Sequence, residues 1–162
     1  MKRLSLLIVL AFIVSCKTKN VITDATLENF KKKKDNTVIT VNPEVVEKAK
    51  IARAENLGLR VLKACNTSKF KVFTTEEATE KLIQKLTLEK ISADCQKINF
   101  RNGKFLASQL QDISYNQNTD QYIFRYALEY EKDMYKRELF VILDSDNRVS
   151  SIFTKELKNK PM

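Results

Sequence analysis

The sequence predicts an α+β fold, with N-terminal helices packed on a curved four-stranded antiparallel meander. Two changes of period carry that expectation. Between residues 43 and 98 apolar side chains recur every three or four positions, the spacing of one helix face. From Phe105 they recur every second position between polar turns, as in an antiparallel sheet with one covered face. No internal repeat and no low-complexity block interrupts this order.

The first sixteen residues stand outside that fold. Leu4 to Val14 is apolar except for Ser5, and Lys2 and Arg3 precede it. A spanning helix needs roughly 20 apolar residues, so this run is too short to cross a bilayer. A basic start, a short apolar core and a small residue before the cut describe a secretory signal. Ile13-Val14-Ser15-Cys16 resembles the lipobox of bacterial lipoproteins, with Ile in a first position where Leu is commoner. The resemblance implies that residues 1–15 are removed as a signal peptide. It also implies that the Cys16 sulfur receives diacylglycerol and that the new amine is acylated, as by palmitate. Two or more chains anchor stably where one binds marginally, at about 0.8 kcal/mol per buried CH₂. The expected partner of Cys16 is thus a lipid bilayer, and the expected location is the cell envelope. Lys17 stands where Asp signals inner-membrane retention in some bacteria, which tilts the expectation to the outer membrane, facing the periplasm.

Loss of Lys2 and Arg3 lowers the net charge from +9 to +7. Nucleic acid is not an expected partner of an exported chain, so the basic surface suits anionic lipid, envelope polymer or plain solvation. Residues 16–42 read as the lipidated Cys and a flexible basic tether, rich in Thr, Asn and Lys. Its run Lys31-Lys32-Lys33-Lys34 is either solvated or touches anionic head groups, worth up to about 1 kcal/mol per charge. Val38-Ile39-Thr40-Val41 is either a short strand or the end of the tether.

The folded domain is expected over residues 43–157, with 158–162 as a disordered tail. Asn42-Pro43-Glu44 opens a helix, with Asn as N-cap, Pro at the first helical position and Glu at the positive end of the dipole. Ile51, Ala54, Gly58, Val61, Leu62 and Cys65 form its buried face, and Asn66-Thr67-Ser68 ends it. Thr74-Thr75-Glu76-Glu77 is a capping box that starts a second helix carrying Ala78, Leu82, Ile83 and Leu86. Thr87 caps a third, with Leu88, Ile91, Cys95 and Ile98 on one face.

Four strands follow. Leu106–Tyr115 leads across Asn116-Gln117-Asn118-Thr119 into Gln121–Glu131, where Tyr122, Phe124, Tyr126, Leu128 and Tyr130 share one face. Arg137–Leu143 comes next, and Val149–Thr154 closes the meander across Asp144-Ser145-Asp146-Asn147. The aromatic stripe is either core against the helices or the lining of a ligand pocket formed by Tyr122, Phe124, Tyr126 and Tyr130. With Cys16 lipidated, Cys65 and Cys95 are an even pair in an oxidising compartment. They are expected either as a disulfide, closing a loop worth roughly 3 to 4 kcal/mol, or as two buried thiols.

The chain from 55 to 154 resembles small domains of the cystatin-like, nuclear-transport-factor-2-like cone. The stretches that carry the resemblance are "GLRVLKACNTSKFKVFT", "TLEKI", "YIFRYALEYEK" and "RELFVILDSDNRVSSI", the last with Asp144, Val149 and Ile152 near the pattern D-x-x-x-x-V-x-x-I. The resemblance implies helices packed into the concave face of a curved sheet. It names no activity, because the same cone hosts enzymes, binding modules and dimerisation domains.

Composition narrows the chemistry. The chain has no His, which removes Ser-His-Asp and Cys-His catalysis and His-ligated zinc. Gly58 and Gly103 are the only glycines, too few for a phosphate-cradling loop. Asp144-Ser145-Asp146-Asn147 starts like a calcium loop, but Val149 and Lys155 occupy the positions that need Gly and Glu. No metal and no cofactor is expected. Asp112, beside Arg125 and Glu129, is the one carboxylate worth weighing as an acid–base group or as a pocket residue. The sequence therefore points to a non-enzymatic envelope lipoprotein that binds a protein partner or a small ligand. The opposing reading is a hydrolase or isomerase of the same cone using Asp112, and a third is a structural or inhibitory lipoprotein.

Overall fold

Strands that alternate apolar and polar side chains bury the apolar set by pairing edge to edge and covering one face with helices. A computed structural model of the chain describes residues 37–132 and 135–157. The expected signal peptide, Cys16, the lysine run, residues 133–134 and the expected tail 158–162 lie outside the described residues. The fold is α+β, with an open antiparallel sheet of five strands in the order β1-β2-β3-β4-β5. They are β1 Val38–Val41, β2 Phe105–Asn116, β3 Gln121–Tyr130, β4 Arg137–Leu143 and β5 Val149–Glu156. Helices α1 Lys48–Thr67, α2 Glu80–Lys85 and α3 Leu88–Asn102 precede β2.

The expected meander had four strands; the sheet has a fifth. β1 pairs antiparallel with the far end of β2, Val38 opposite Asn116 and Val41 opposite Ile113. It places the last residues of the expected tether in the sheet. Four residues are too few to display a period, and Val38, Ile39 and Thr40 are exposed, so no burial pattern marks this strand in the sequence. Its existence is decided by the backbone groups that β2 offers 75 residues further along the chain.

Two helix starts also differ from expectation. Asn42 does cap, its side-chain oxygen accepting from the Glu44 amide at 3.0 Å, but Pro43–Val45 makes only one 3₁₀ turn. Val46 then turns extended, φ −88° and ψ 134°, and is buried, so α1 begins at Lys48. The Thr74 box is half made: the Glu77 carboxylate accepts from the Thr74 amide at 3.1 Å, while the Glu77 amide donates to the Thr74 carbonyl. No helix follows directly. Ala78 instead forms a parallel bridge to Val149, with the Val149 amide donating to Glu77 and the Thr79 amide to Val149. Thr79 becomes the N-cap of the short α2. Tertiary pairing has taken the residues that local sequence assigns to a first turn. The Thr87 cap of α3 forms as expected, its hydroxyl accepting from the Lys90 amide.

The Glu77 side chain has a second partner that explains the diversion. Arg60 of α1 donates to both its oxygens, at 2.6 and 2.7 Å, and lies over the Phe73 ring. These hydrogen bonds from Arg60 pull the Glu77 pKa from 4.5 down to about 2, against the opposing effect of burial. Because the folded value is depressed, the pair stabilises fully above pH 4.5, and that contribution is lost as pH falls toward 2. Glu77→Gln is expected to lower stability at pH 7 by about 1–2 kcal/mol. It is also expected to flatten the loss of stability between pH 4.5 and 2. Chemical denaturation across that range measures both, and an unchanged acid limb would count against the pair.

The core lies between α1 and the sheet face that holds Ile113, Phe124, Tyr126, Leu139, Val141 and Leu143. Gly58 sets their distance. A Cβ there would come within 2.7 Å of Val141 and 2.9 Å of Leu139, so only glycine lets the helix backbone lie directly on β4. Gly103 ends α3 at φ 73°, in the left-handed region, and its amide donates to the Asn99 carbonyl. The chain then turns straight into β2.

Candidate functional site

The inner sheet face is filled. Phe124 is fully buried and Tyr126 and Tyr130 nearly so, while Tyr122 at the margin is half-buried. Phe105 meets Tyr130 edge-on at 5.9 Å between centroids. Burial pushes the Tyr126 and Tyr130 hydroxyls above the ordinary phenol range. Three of the four stripe aromatics are thus core residues. Tyr122 packs on Tyr115 at 4.9 Å, with the Lys50 ammonium 4.9 Å over its ring.

Asp112 is on the other side of the sheet. Directly paired residues share a face, so Asp112 opposite Arg125, and Arg125 opposite Phe140, lie away from Phe124 and Tyr126. Arg125 donates to Asp112 through two nitrogens and to Glu138 at 2.7 Å. The Asp112 hydrogen bond, with Glu138 adding to it, raises the Arg125 pKa above its ordinary value. Both bonds fall on Asp112 Oδ2, so one carboxylate oxygen is held by a permanent cation. The structure does not bring Asp112 and the aromatic stripe together. Beside the ion-pair cluster Phe140 and Phe153 stack at 5.0 Å with planes 6° apart.

Cys65 and Cys95 form a disulfide, Cα to Cα 4.9 Å, tying α1 to α3. Asn99 donates to the Cys65 carbonyl at 2.9 Å and Asn66 exchanges two hydrogen bonds with the Phe105 backbone, so the helix pair is fixed on both sides of the bridge. Among the described residues no helix is long and apolar enough to cross a membrane, and no group of three or more His, Cys, Asp or Glu side chains is placed to hold a metal.

A groove of about 930 Å³ lies between α2, α3 and the free edge of β5. Leu82, Leu86, Ile91 and Ile98 from the helices and Ile152 from β5 give it an apolar floor. Lys81, Lys85, Lys90 and Lys97 rim it. Lys81, Lys85 and Lys90 make no ion pair among the described residues, whereas Lys97 stands 4.0 Å from Asp94. At the far end Glu156 takes Arg101 at 3.0 Å and Arg137 at 3.1 Å, one acid shared between two cations. The groove is therefore an apolar trough with an uncompensated basic rim. Reasoning on the sequence passes over it, although the signal is present: Lys81-Leu82, Lys85-Leu86, Lys90-Ile91 and Lys97-Ile98 repeat one basic–apolar step along two helices. That step sets a cationic stripe beside each apolar one. What it does not show is that α2, α3 and β5 enclose a groove between them.

No family model, no curated protein and no solved structure matches the chain.

Proposed function

We propose that this chain is an exported bacterial lipoprotein, anchored through acylated Cys16, whose cystatin-like domain binds an anionic partner and carries out no catalysis. The observation that supports binding is the groove between α2, α3 and β5, with Lys81, Lys85 and Lys90 uncompensated above an apolar floor. A protein seldom leaves three neighbouring cations without acids around a concave apolar surface unless something negative sits there. Lipidation rests on the Ile13-Val14-Ser15-Cys16 box and the basic, apolar run before it. The cone reading rests on helices covering one face of a sheet whose bulges, between Leu110 and Asp112 and between Ile142 and Leu143, favour curvature. The enzyme reading has less support: Asp112 is spent on Arg125, and the aromatic stripe it was to serve lies on the opposite face.

Two experiments test this reading. Cys16→Ala is expected to abolish palmitate labelling of the full chain and its retention in membranes; continued labelling would remove the anchor. For binding, a photo-crosslinking residue at position 85 of the intact lipoprotein is expected to give a discrete adduct in its native envelope. Charge reversal at Lys81 and Lys90 is expected to weaken that adduct. An adduct indifferent to the reversal, or none, would overturn the groove as the binding site.

A further inference from the structure

The edge of β5 determines what shape of ligand the groove takes. The Leu157 amide donates to the Lys136 carbonyl, which fixes the alternation along the β4–β5 ladder. Residues 155, 153 and 151 turn their backbone groups toward β4, while Ile152, Thr154 and Glu156 turn theirs away, toward the open side. Further back the outward groups of Val149 are already taken, by Glu77 and Thr79 of the parallel bridge. Beyond that bridge the pairing stops. Among the described residues no backbone partner meets Ile152 or Thr154, and both line the groove. An open strand edge is a template for another strand, and proteins ordinarily cover it or crowd it with charge. Here α2 and α3 hold an apolar floor and a basic rim beside the edge.

We propose that the groove takes an extended, acidic peptide segment of a partner protein, which adds to the sheet as a sixth strand against Ile152 and Thr154. The inference rests on the binding role of the groove and names its ligand class. The main chain of the peptide would pair with β5 and its alternate side chains would fall toward Leu82, Leu86 and Ile98, as in strand addition generally. Its acidic residues would meet Lys81, Lys85 and Lys90. Charge complementarity selects this occupant over a second copy of the chain, which is itself basic at +7 without residues 1–15. Length selects β5 over the other edge, because β1 has only four residues.

The test uses the full chain, acylated and held in detergent, and an eight-residue peptide alternating Glu or Asp with Val. Three probes accompany it: the same sequence with Lys for each acid, the acidic sequence N-methylated at alternate amides, and myristate as an anionic amphiphile without a peptide backbone. The acidic peptide is expected to bind and to slow hydrogen exchange at the Ile152 and Thr154 amides. Lys81→Glu/Lys85→Glu/Lys90→Glu is expected to weaken binding roughly tenfold or more, and rising salt to weaken it further. N-methylation and charge inversion of the peptide are each expected to abolish it. Equal binding by the N-methylated peptide, or myristate competing without protection of those amides, would overturn strand addition and leave an anion-binding groove. Protection of the same amides without peptide, in a dimer seen by sedimentation, would assign the edge to a second copy and overturn the proposal. Loss of the position-85 adduct in the native envelope would instead remove the binding reading beneath it.

Discussion

Phe124→Ala is expected to destabilise the domain by about 3–5 kcal/mol, a large share of the roughly 5–15 kcal/mol that ordinary domains possess. Phe124 is fully exposed to the choice between core and pocket in the sequence, but fully buried in the fold. It sits opposite Ile113 on β2 and Val141 on β4, both also buried completely, so truncation leaves a cavity at the centre of the sheet with no mobile neighbour to fill it. Gly58 adds to the rigidity, because α1 already lies as close to β4 as backbone permits. Urea denaturation measures the loss. A variant that kept its midpoint and merely bound ligand less well would return the aromatic stripe to the role of a pocket lining. The comparison with Tyr122→Ala is informative, since Tyr122 is half-buried at the margin and is expected to cost much less.

Replacing both cysteines, Cys65→Ala with Cys95→Ala, is expected to cost roughly 3 kcal/mol and lower Tm by about 10–15 °C. The bridge spans a sequence separation of 30, from the last turns of α1 to the middle of α3. That interval contains the Thr74 turn, the Ala78 bridge and the whole of α2. Cutting the bridge therefore frees the unfolded chain over the segment that carries one wall of the groove. The effect should be reproduced by reduction of the native protein, and the two should not add. Calorimetry with and without reductant decides this; a reductant-insensitive Tm would mean that the two cysteines do not constrain the chain. A second consequence is local. Hydrogen exchange in α2 and α3 is expected to rise more than in β3, because β3 is held by strands on both sides.

The sequence carries most of this architecture on its surface. β3 is legible from Tyr122, Phe124, Tyr126, Leu128 and Tyr130 alternating onto one face, and β4 from the apolar run Leu139 to Leu143. The Thr87 cap is equally plain, because a hydroxyl followed by Leu88, Glu89 and Lys90 has a local partner for its oxygen. The Thr74 box was as well formed and yet misleads. Its Glu77 is wanted by Arg60 from another helix and its neighbour Ala78 by Val149 from the last strand, and neither claim is visible within a window of a few residues. Lys81, Lys85 and Lys90 are visible as a repeat but not as a rim, for the sequence does not show that Asp94, which also lines the groove, stands beside Lys97 while these three make no ion pair among the described residues.

What the sequence determines by itself is what depends on neighbours along the chain: the change of period at Phe105, the caps at Asn42 and Thr87, and the core face of β3. Tertiary structure decides the rest, namely the fifth strand at Val38–Val41, the approach of α1 to β4 at Gly58, the partner of Asp112 and the groove beside β5. The division has one physical cause. Period and capping are satisfied by groups a few residues apart, whereas a strand edge, an ion pair or a concavity exists only when distant segments have been brought to the same place.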